Sequence, residues 1–238
     1  MTEEDALGLS LGYGPRVVVC DYDRTLTDES LTLCKPVIEA LIRLKKEHGI
    51  KVIVASGRKL SFLRKMLDRF HIVDSFVGEN GAVVYLPHSA RTLTLGKDVA
   101  KIKAALRDSP VPIDEGQAMV STKRTFEEQV RRIIQEKGLS VEIQYNRDDL
   151  MILPAGIDKA AGVKEALAKL GLTDAELICI GDAENDLPLF KIAHICIATA
   201  NAIPEVKDKA DAVCMGIGGE GLARFLTELS ARISCARS

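Results

Sequence analysis

The chain has 238 residues, 47% of them hydrophobic, and its 32 Lys and Arg against 34 Asp and Glu leave a formal net charge of −2. This length suits one large domain or two, and the near-neutral balance gives no electrostatic reason to expect nucleic acid or an acidic membrane surface as a partner. No apolar run approaches the roughly 20 residues that span a bilayer. The acidic start argues against a secretory signal, and residues 1–15, with three Gly and one Pro, are expected to form a flexible lead-in.

The first predicted strand ends in two carboxylates. Residues 17–20 form a short run of β-branched and small residues, as in a buried strand, and Asp21 and Asp23 follow it. Because strand side chains alternate, the two acids should point the same way, toward one spot at the edge of the sheet. Like charges this close repel unless a cation lies between them, and a hard divalent ion such as Mg²⁺ suits oxygen ligands.

The next elements alternate between helix and strand. A helix over 35–47 leads to an apolar strand over 51–55, which is followed by Ser56 and Gly57. A hydroxyl and backbone N–H groups at the start of the next helix, expected over 59–69, form a ready site for an anion. Taken alone, such a serine is more typical of a helix N-cap.

The alternation of helix and strand breaks after two short strands that enclose the turn Glu79-Asn80-Gly81. The stretch from 86 to 154 carries four prolines, two helical patterns and three strand-like segments. This composition predicts a small α+β module inserted into the larger domain, where it could exclude water and read a leaving group. Three cations in the module suit an anionic substrate group and suit solvated surface positions equally well: Lys123, Arg124 and Arg147.

After the module, the alternation resumes. A helix over 159–170 begins at Lys159, and an apolar strand over 177–180 leads into the run Gly181-Asp182-Ala183-Glu184-Asn185-Asp186. Alternating strands and helices continue toward the end of the chain. The whole pattern predicts an α/β fold with a doubly wound parallel sheet.

Acids therefore gather after two separate strands. For either cluster alone, acids that merely cap a helix are an adequate explanation. Open α/β sheets, however, bind ligands at the carboxyl edge, and two neighbouring strands would bring both clusters to one point. The expected ligands of a cation at that point are Asp21, Asp23, Asp182 and Asp186.

In this order the motifs resemble those of the haloacid dehalogenase superfamily of phosphohydrolases. That pattern has Asp-x-Asp-x-Thr at a strand end, a Ser or Thr after a second strand, a Lys, and Gly-Asp-x-x-x-Asp. The matching residues are Asp21, Asp23, Thr25, Ser56, Lys159, Gly181, Asp182 and Asp186. Residues 78–82 and 200–207 are similar to the Cof-type branch, and the short cap is most like that of archaeal phosphoglycolate phosphatases. The chain departs from the pattern at Arg24, where the family usually has Gly.

The resemblance implies a Rossmann-like core over 16–85 and 155–238, with the cap inserted at 86–154. It also implies a Mg²⁺-dependent phosphomonoesterase that works through an aspartyl-phosphate. Asp21 would be the nucleophile and Asp23 the general acid and then base.

The resemblance also assigns the remaining contacts. Asp21, Asp182, Asp186 and the backbone of Asp23 would hold the metal. The phosphoryl group would be held by four residues: Ser56, Gly57, Lys159 and Asn185.

The substrate is expected to be a small phosphate ester, with 2-phosphoglycolate as the first expectation. A sugar-phosphate phosphatase, of the sucrose-phosphate or mannosyl-phosphoglycerate type, or a phosphomutase is the alternative. A non-catalytic binding protein is disfavoured, because the nucleophile and every metal ligand are present. The sequence leaves the oligomeric state open.

The six cysteines form no C-x-x-C pair. Cys20, Cys179 and Cys196 lie in apolar runs and are expected to be small buried hydrophobes, which fits a reducing cytoplasm better than disulfides. The four histidines are scattered along the chain and suggest no catalytic cluster.

Overall fold

The computed structural model describes residues 16–173, 175–216 and 219–236. Two β-sheets organise this part of the chain, one of eight strands and one of four. The expected lead-in over residues 1–15 lies outside the described residues. Of the helices that are described, none is both long and apolar enough to cross a membrane.

The larger sheet is mostly parallel. With all strands numbered in chain order, it contains β1 (Val17–Cys20), β2 (Lys51–Ala55), β3 (Ser75–Gly78), β4 (Val83–Leu86), β5 (Arg91–Thr94), β10 (Leu177–Gly181), β11 (Ile195–Ala198) and β12 (Ala212–Val213). Their spatial order is β12-β11-β10-β1-β2-β3-β4-β5. The β3–β4 and β4–β5 pairs are antiparallel, and the other pairs are parallel.

The smaller sheet is antiparallel and has the order β6-β7-β9-β8. Its strands are β6 (Asp114–Glu115), β7 (Val120–Lys123), β8 (Val141–Asn146) and β9 (Asp149–Pro154). The α-helices of the described chain are α1 (Lys35–His48), α2 (Leu60–Leu67), α3 (Val99–Arg107), α4 (Glu127–Glu136), α5 (Lys159–Leu170), α6 (Leu187–Phe190), α7 (Pro204–Lys209) and α8 (Glu220–Ala236).

Helices cover both faces of the larger sheet. Val18 and Cys20 belong to the apolar cluster that includes α1, α2 and α8, whereas Val17 and Val19 belong to the cluster on the side of α5. Strand side chains alternate between faces, so a strand that is buried on both sides has an unbroken apolar sequence. The four side chains of β1 are fully buried. The predicted α/β class with a mostly parallel sheet is confirmed.

The register of the central strands positions the candidate residues. Cys20 is the Cα partner of Val54 in β2 and of Ile180 in β10. The three parallel strands therefore end at the same edge, and the residues that follow them, including Asp21 and Asp182, come together there.

The smaller sheet has a core of its own. Ile102 of α3 and Val130 of α4 pack against Leu150 of β9, and Met151 faces the other way, toward a cluster that includes Val83 of β4. β5 lies within the range 86–154 that was expected to be inserted, but it pairs with β4 in the larger sheet. The division into core and cap domains stays a prediction.

Candidate active site

Three buried carboxylates meet at the carboxyl edge of the larger sheet. Asp21 follows β1, and Asp182 and Asp186 lie in the loop after β10. One oxygen from each lies within 4.8 Å of the others, and the residues are 5%, 2% and 0% exposed respectively. We call Asp21, Asp182 and Asp186 the acidic trio. The prediction that acids from two distant segments converge is confirmed for these three.

Lys159 connects two members of the trio. This first residue of α5 is fully buried, and its Nζ donates to Asp21 Oδ1 at 2.5 Å and to Asp186 Oδ1 at 2.6 Å. A buried ammonium is stable only with such partners, because the charge has lost its hydration. Lys159 is therefore held against the trio by both geometry and charge.

The loop after β10 folds around the Asp186 carboxylate. Asp186 Oδ2 accepts hydrogen bonds from the backbone N–H of Asp182 at 2.9 Å and of Ala183 at 3.1 Å. A Cβ added at Gly181 would lie 2.5 Å from Asp186 Cβ, well inside contact distance. Glycine is therefore required before Asp182 so that the loop can close on Asp186.

The raised pKa values of two members of the trio indicate that the site holds too little positive charge to balance its carboxylates. Burial and, to a lesser extent, the charge of Asp186 raise the pKa of Asp182 to about 6, against the effect of a hydrogen bond from Arg147. Burial also raises the pKa of Asp21, against the charge of Lys159. For Lys159, burial alone would lower the pKa, but the charges of Asp186 and Asp21 outweigh it and raise the value.

The donor set of the trio fits a divalent cation. Three carboxylates face two cationic side chains, Lys159 and Arg147, so the cluster keeps a negative charge. All of the trio's donor atoms are carboxylate oxygens, which hard cations such as Mg²⁺ prefer. A bound divalent ion would offset both the loss of hydration and the mutual repulsion that raise the pKa values of Asp21 and Asp182.

Asp23 lies apart from the trio and is paired with Arg58. Its two oxygens accept from Arg58 Nε at 3.1 and 2.9 Å, and Arg58 Nη2 donates to Oδ1 at 2.8 Å. The guanidinium also lies 5.1 Å from the centre of the Phe62 ring. Sequence reasoning did not select Arg58, although its place directly after Ser56 and Gly57 was a usable signal. The role of the Asp23 backbone as a metal ligand stays a prediction.

Arg24, which departs from the family pattern, has φ of +58°. Glycine enters this left-handed region at little cost, which explains why a glycine is usual at that place in the family pattern. The Arg24 backbone N–H donates to Thr27 Oγ1 at 2.7 Å, and its Nε lies 3.7 Å from a Glu29 carboxylate oxygen. Local contacts thus stabilise the turn without a glycine.

Ser56 and Gly57 occupy the loop after β2. The Ser56 side chain is fully buried, and its Oγ accepts from the backbone N–H of Arg58 at 3.1 Å. This is the local turn that a serine after a strand commonly makes. Gly57 lines a cavity between the two sheets. Phosphate binding by either residue stays a prediction.

Asn185 begins a buried chain of amide side chains. Its Nδ2 donates to Asn80 Oδ1 at 2.9 Å, Asn80 Nδ2 donates to Gln144 Oε1, and Gln144 Nε2 donates to the Ile157 carbonyl at 3.0 Å. Asn185 Oδ1 is buried with no hydrogen-bond partner among the described residues. The chain connects the loop of the trio to β8, and its two inner members were missed by sequence reasoning because they look like ordinary turn and strand residues.

Glu79 connects the two sheets in a different way. It is 2% exposed, and its carboxylate accepts from the backbone N–H groups of Gln117, Ala118 and Met119 at 2.6, 2.7 and 3.1 Å. A Cβ at Gly116 would lie 2.4 Å from a Glu79 oxygen. The turn Glu79-Asn80-Gly81 is therefore a tightly fitted joint between the larger sheet and the loop before β7.

A cavity of about 760 Å³ lies between the trio's edge and the smaller sheet. Asp23 and Arg58 line it on one side, and Lys123, Arg147 and Asp149 line it on the other. Arg147 Nη2 donates to Asp182 Oδ2 at 2.8 Å, so one cation of the smaller sheet reaches the trio itself. The arrangement combines a buried carboxylate cluster, the ion pair of Asp23 with Arg58 and a charged cavity, which together suit binding of an anionic group.

The expected burial of three cysteines is confirmed for Cys20, Cys179 and Cys196. Burial raises the pKa of each thiol above its ordinary value. These residues pack within the strands and take no part in the site.

The chain has relatives among known proteins. The family model for haloacid dehalogenase-like hydrolases matches residues 18–113 and 98–226. A phosphoglycolate phosphatase of Archaeoglobus fulgidus is 30% identical over 221 residues, covering 90% of this chain and 96% of that protein. Phosphoglycolate phosphatase 1 of Saccharolobus solfataricus is 31% identical over 229 residues, and the match covers 90% of this chain and 95% of that protein.

The fold also has solved counterparts. A sugar phosphatase of haloacid dehalogenase subclass IIB superposes with a TM-score of 0.74 at 20% identity, covering 90% of this chain and 98% of that one. At that identity the likeness concerns the fold.

Proposed function

Because this chain belongs to the haloacid dehalogenase-like hydrolase family and is a phosphatase, we propose that it is a Mg²⁺-dependent phosphomonoesterase that works through an aspartyl-phosphate. The observation that carries the proposal is the acidic trio with Lys159 between Asp21 and Asp186. Asp21, Asp182 and Asp186 would hold the ion. It would neutralise charge on the transferring phosphoryl group.

In the first step, the Asp21 carboxylate attacks phosphorus and the bond from phosphorus to the ester oxygen breaks. Asp23 gives its proton to the departing alkoxide, so the leaving group departs as an alcohol. Lys159, in contact with Asp21, favours the ionised form of that carboxylate and aligns it. The product is a phosphoryl group bonded to Asp21.

In the second step, water attacks the phosphorus of the aspartyl-phosphate. Asp23, now a base, takes a proton from the water, and the bond between phosphorus and Asp21 oxygen breaks. Inorganic phosphate leaves and the Asp21 carboxylate is restored. Ser56, Gly57 and Asn185 would contact the phosphoryl oxygens, and Asn185 Oδ1, which has no hydrogen-bond partner among the described residues, suits a bound water.

The contact between Asp23 and Arg58 sets a condition on this cycle. Both oxygens of Asp23 accept from Arg58, so this carboxylate is occupied and cannot donate in that arrangement. Substrate must therefore replace Arg58 at one oxygen of Asp23 before the leaving group can be protonated. Arg58 would keep Asp23 in position until then.

The smaller sheet with α3 and α4 would act as the cap over this chemistry. It supplies one wall of the cavity. The first candidate substrate is 2-phosphoglycolate, on the strength of the relatives of that name.

The cavity favours a second candidate, a sugar phosphate. Its volume of about 760 Å³ lies in the range of roughly 300–1,000 Å³ that larger organic ligands occupy. Asp114, Asp148 and Asp149 also line it and can accept hydrogen bonds from sugar hydroxyls.

A phosphate-release assay over a panel of esters tests the proposal. We expect release with Mg²⁺ and none with a chelator, and we expect 2-phosphoglycolate to be turned over faster than sucrose phosphate or hexose phosphates. Asp21→Asn should abolish release. Asp28→Asn is the matched control, because that carboxylate is exposed and bonds only its own loop at Ser30 and Thr32.

The intermediate can be tested separately with p-nitrophenyl phosphate, whose leaving group needs little protonation. Asp23→Asn should then form the aspartyl-phosphate but hydrolyse it slowly, so that mass spectrometry finds a phosphoryl group on Asp21. Turnover by Asp21→Asn equal to that of the unaltered enzyme would contradict the mechanism.

A further inference from the structure

We infer that Arg147 determines substrate class: it occupies Asp182 until a divalent cation takes that carboxylate, and the freed guanidinium then binds a carboxylate on the leaving group of the substrate. The inference rests on the proposed function, since it requires Asp182 to be a metal ligand and the substrate to be a phosphate ester. It deepens that function by naming the group that the cap side of the cavity recognises.

The backbone of Arg147 is fixed at the tip of a hairpin. Asn146 of β8 pairs with Asp149 of β9, so residues 147 and 148 form a two-residue turn. Arg147 has φ of +53°, a strained conformation for a residue with a side chain. Its N–H donates to Glu184 Oε2 at 3.1 Å. The turn is thus held against the loop of the trio independently of the guanidinium.

The guanidinium is only partly satisfied. Nη2 donates to Asp182 Oδ2 at 2.8 Å and to the Asn201 carbonyl at 3.4 Å. Nε is buried and has no hydrogen-bond partner within the described part of the chain. A guanidinium presents its donors in a flat fork that matches a carboxylate, and here part of that fork is unused.

The other cations that line the cavity are paired with acids outside the trio. Arg58 pairs with Asp23, Lys59 with Asp114 at 2.7 Å, and Lys123 with Asp149 at 2.5 Å. A divalent cation at the trio leaves all of these pairs intact. Arg147 differs from them, because its carboxylate partner is itself a candidate metal ligand.

Cation binding therefore changes the position of Arg147. A divalent ion on Asp182 takes the acceptor oxygens and repels the guanidinium at short range. Because the backbone stays anchored at Glu184, only the side chain moves, and it moves within the cavity that it already lines. There it has lost the carboxylate that held it. The ligand that fits it is an ester with a carboxylate on the leaving group.

Metal affinity provides a test that does not depend on catalysis. Mg²⁺ is titrated by calorimetry into the unaltered enzyme, Arg147→Met and Arg131→Met without substrate. We expect Arg147→Met to bind Mg²⁺ about 5-fold more tightly, as loss of a competing ion pair predicts. Arg131→Met is the matched control and should leave Mg²⁺ binding unchanged, because it also removes a cap arginine but one that contacts Glu127 and Tyr145. Unchanged or weaker Mg²⁺ binding by Arg147→Met overturns the inference.

Substrate kinetics provide the second test. For 2-phosphoglycolate, Arg147→Met should raise KM about 10-fold with little change in kcat, as loss of a charged hydrogen bond predicts. For ethyl phosphate, which lacks the carboxylate, KM should stay the same. If the variant changes both KM values equally or neither, the inference is overturned while the phosphatase stands. If the unaltered enzyme hydrolyses neither ester, the proposed function itself fails.

Folding of the variant is verified by cooperative thermal unfolding. If Arg147→Met does not unfold cooperatively, Arg147→Gln takes its place with the same expectations. Gln keeps a polar side chain at the turn but removes the charge that competes with Mg²⁺.

Discussion

The cavity has a core wall on the side of the larger sheet and a cap wall on the side of the smaller sheet, and the two walls hold their charges in different ways. On the core side, the acidic trio and Lys159 are buried at the shared edge of parallel strands, and backbone N–H groups fix Asp186. On the cap side, pairs such as Lys123–Asp149 and Lys59–Asp114 are largely exposed. Buried charges depend strictly on their partners, whereas exposed pairs contribute little to stability. The core wall is therefore rigid enough for chemistry, and the cap wall can change with the substrate.

The largest expected effect is on the free energy of unfolding, when one lysine is removed from each wall in a separate variant. Lys159→Met leaves Asp21 and Asp186 buried without their ammonium, and we expect the free energy of unfolding in chelator to fall by about 3–5 kcal/mol. Lys123→Met removes an exposed ion pair and should cost less than about 1 kcal/mol. Urea denaturation of both variants measures the difference. Equal losses would show that the two walls do not differ as described.

The pH dependence of stability sharpens the comparison. Burial raises the pKa of Asp182 to about 6 from an ordinary 3.8, so the folded protein binds this proton more tightly than the unfolded chain does. Its stabilising contribution is complete below the ordinary pKa and is lost as pH rises through about 6. In chelator, the free energy of unfolding should therefore decrease across this window, by at most about 3 kcal/mol from this group.

Substitution isolates that contribution. Asp182→Asn cannot ionise, so its unfolding free energy should vary less across the same window, as followed by urea denaturation at several pH values. Asp114→Asn, on the exposed wall, should keep the full dependence of the unaltered protein. An unchanged slope in Asp182→Asn would show that another group is responsible.

A smaller effect is expected at the joint between the walls. The Glu79 carboxylate accepts hydrogen bonds from the three backbone N–H groups of residues 117–119. The substitution Glu79→Gln removes the negative charge that strengthens these hydrogen bonds and places an amide NH₂ group against a backbone N–H donor. We expect a loss of about 1–3 kcal/mol and faster hydrogen exchange at 117–119. The exposed Glu142→Gln is the control. Unchanged exchange in Glu79→Gln would mean that the joint does not depend on this carboxylate.

Much of the core wall was predictable because it depends on local patterns. The unbroken apolar runs of β1, β2 and β10 indicate strands that are buried on both faces, and Asp21 and Asp182 directly follow two of them. Parallel strands then bring these ends to one edge. Because strand side chains alternate, Asp23 was predicted to point the same way as Asp21 and to join the trio. The strand β1 ends at Cys20, however, and the turn at Arg24 carries Asp23 toward Arg58.

The contacts of the cap side could not be predicted in the same way. Arg147 and Asp182 are 35 residues apart, and Asn80 and Asn185 are 105 apart. The local sequence singles out Asp182 and Asn185 as candidate site residues, but it does not show that Arg147 and Asn80 are their partners. Sequence reasoning accordingly left Arg147 equally suited to solvent or to an anionic substrate.

The amino-acid sequence by itself determined the alternating strands and helices, the acids that follow two buried strands and the place of Lys159 at the start of a helix. Hydrophobic periodicity is a local property, so the sequence alone reveals it. Only the tertiary structure decided that Lys159 lies between Asp21 and Asp186, that Asp23 pairs with Arg58 and that Arg147 reaches Asp182. These pairings depend on how the two sheets face each other, and hydrogen bonds between distant segments form only when packing brings their atoms within about 3 Å.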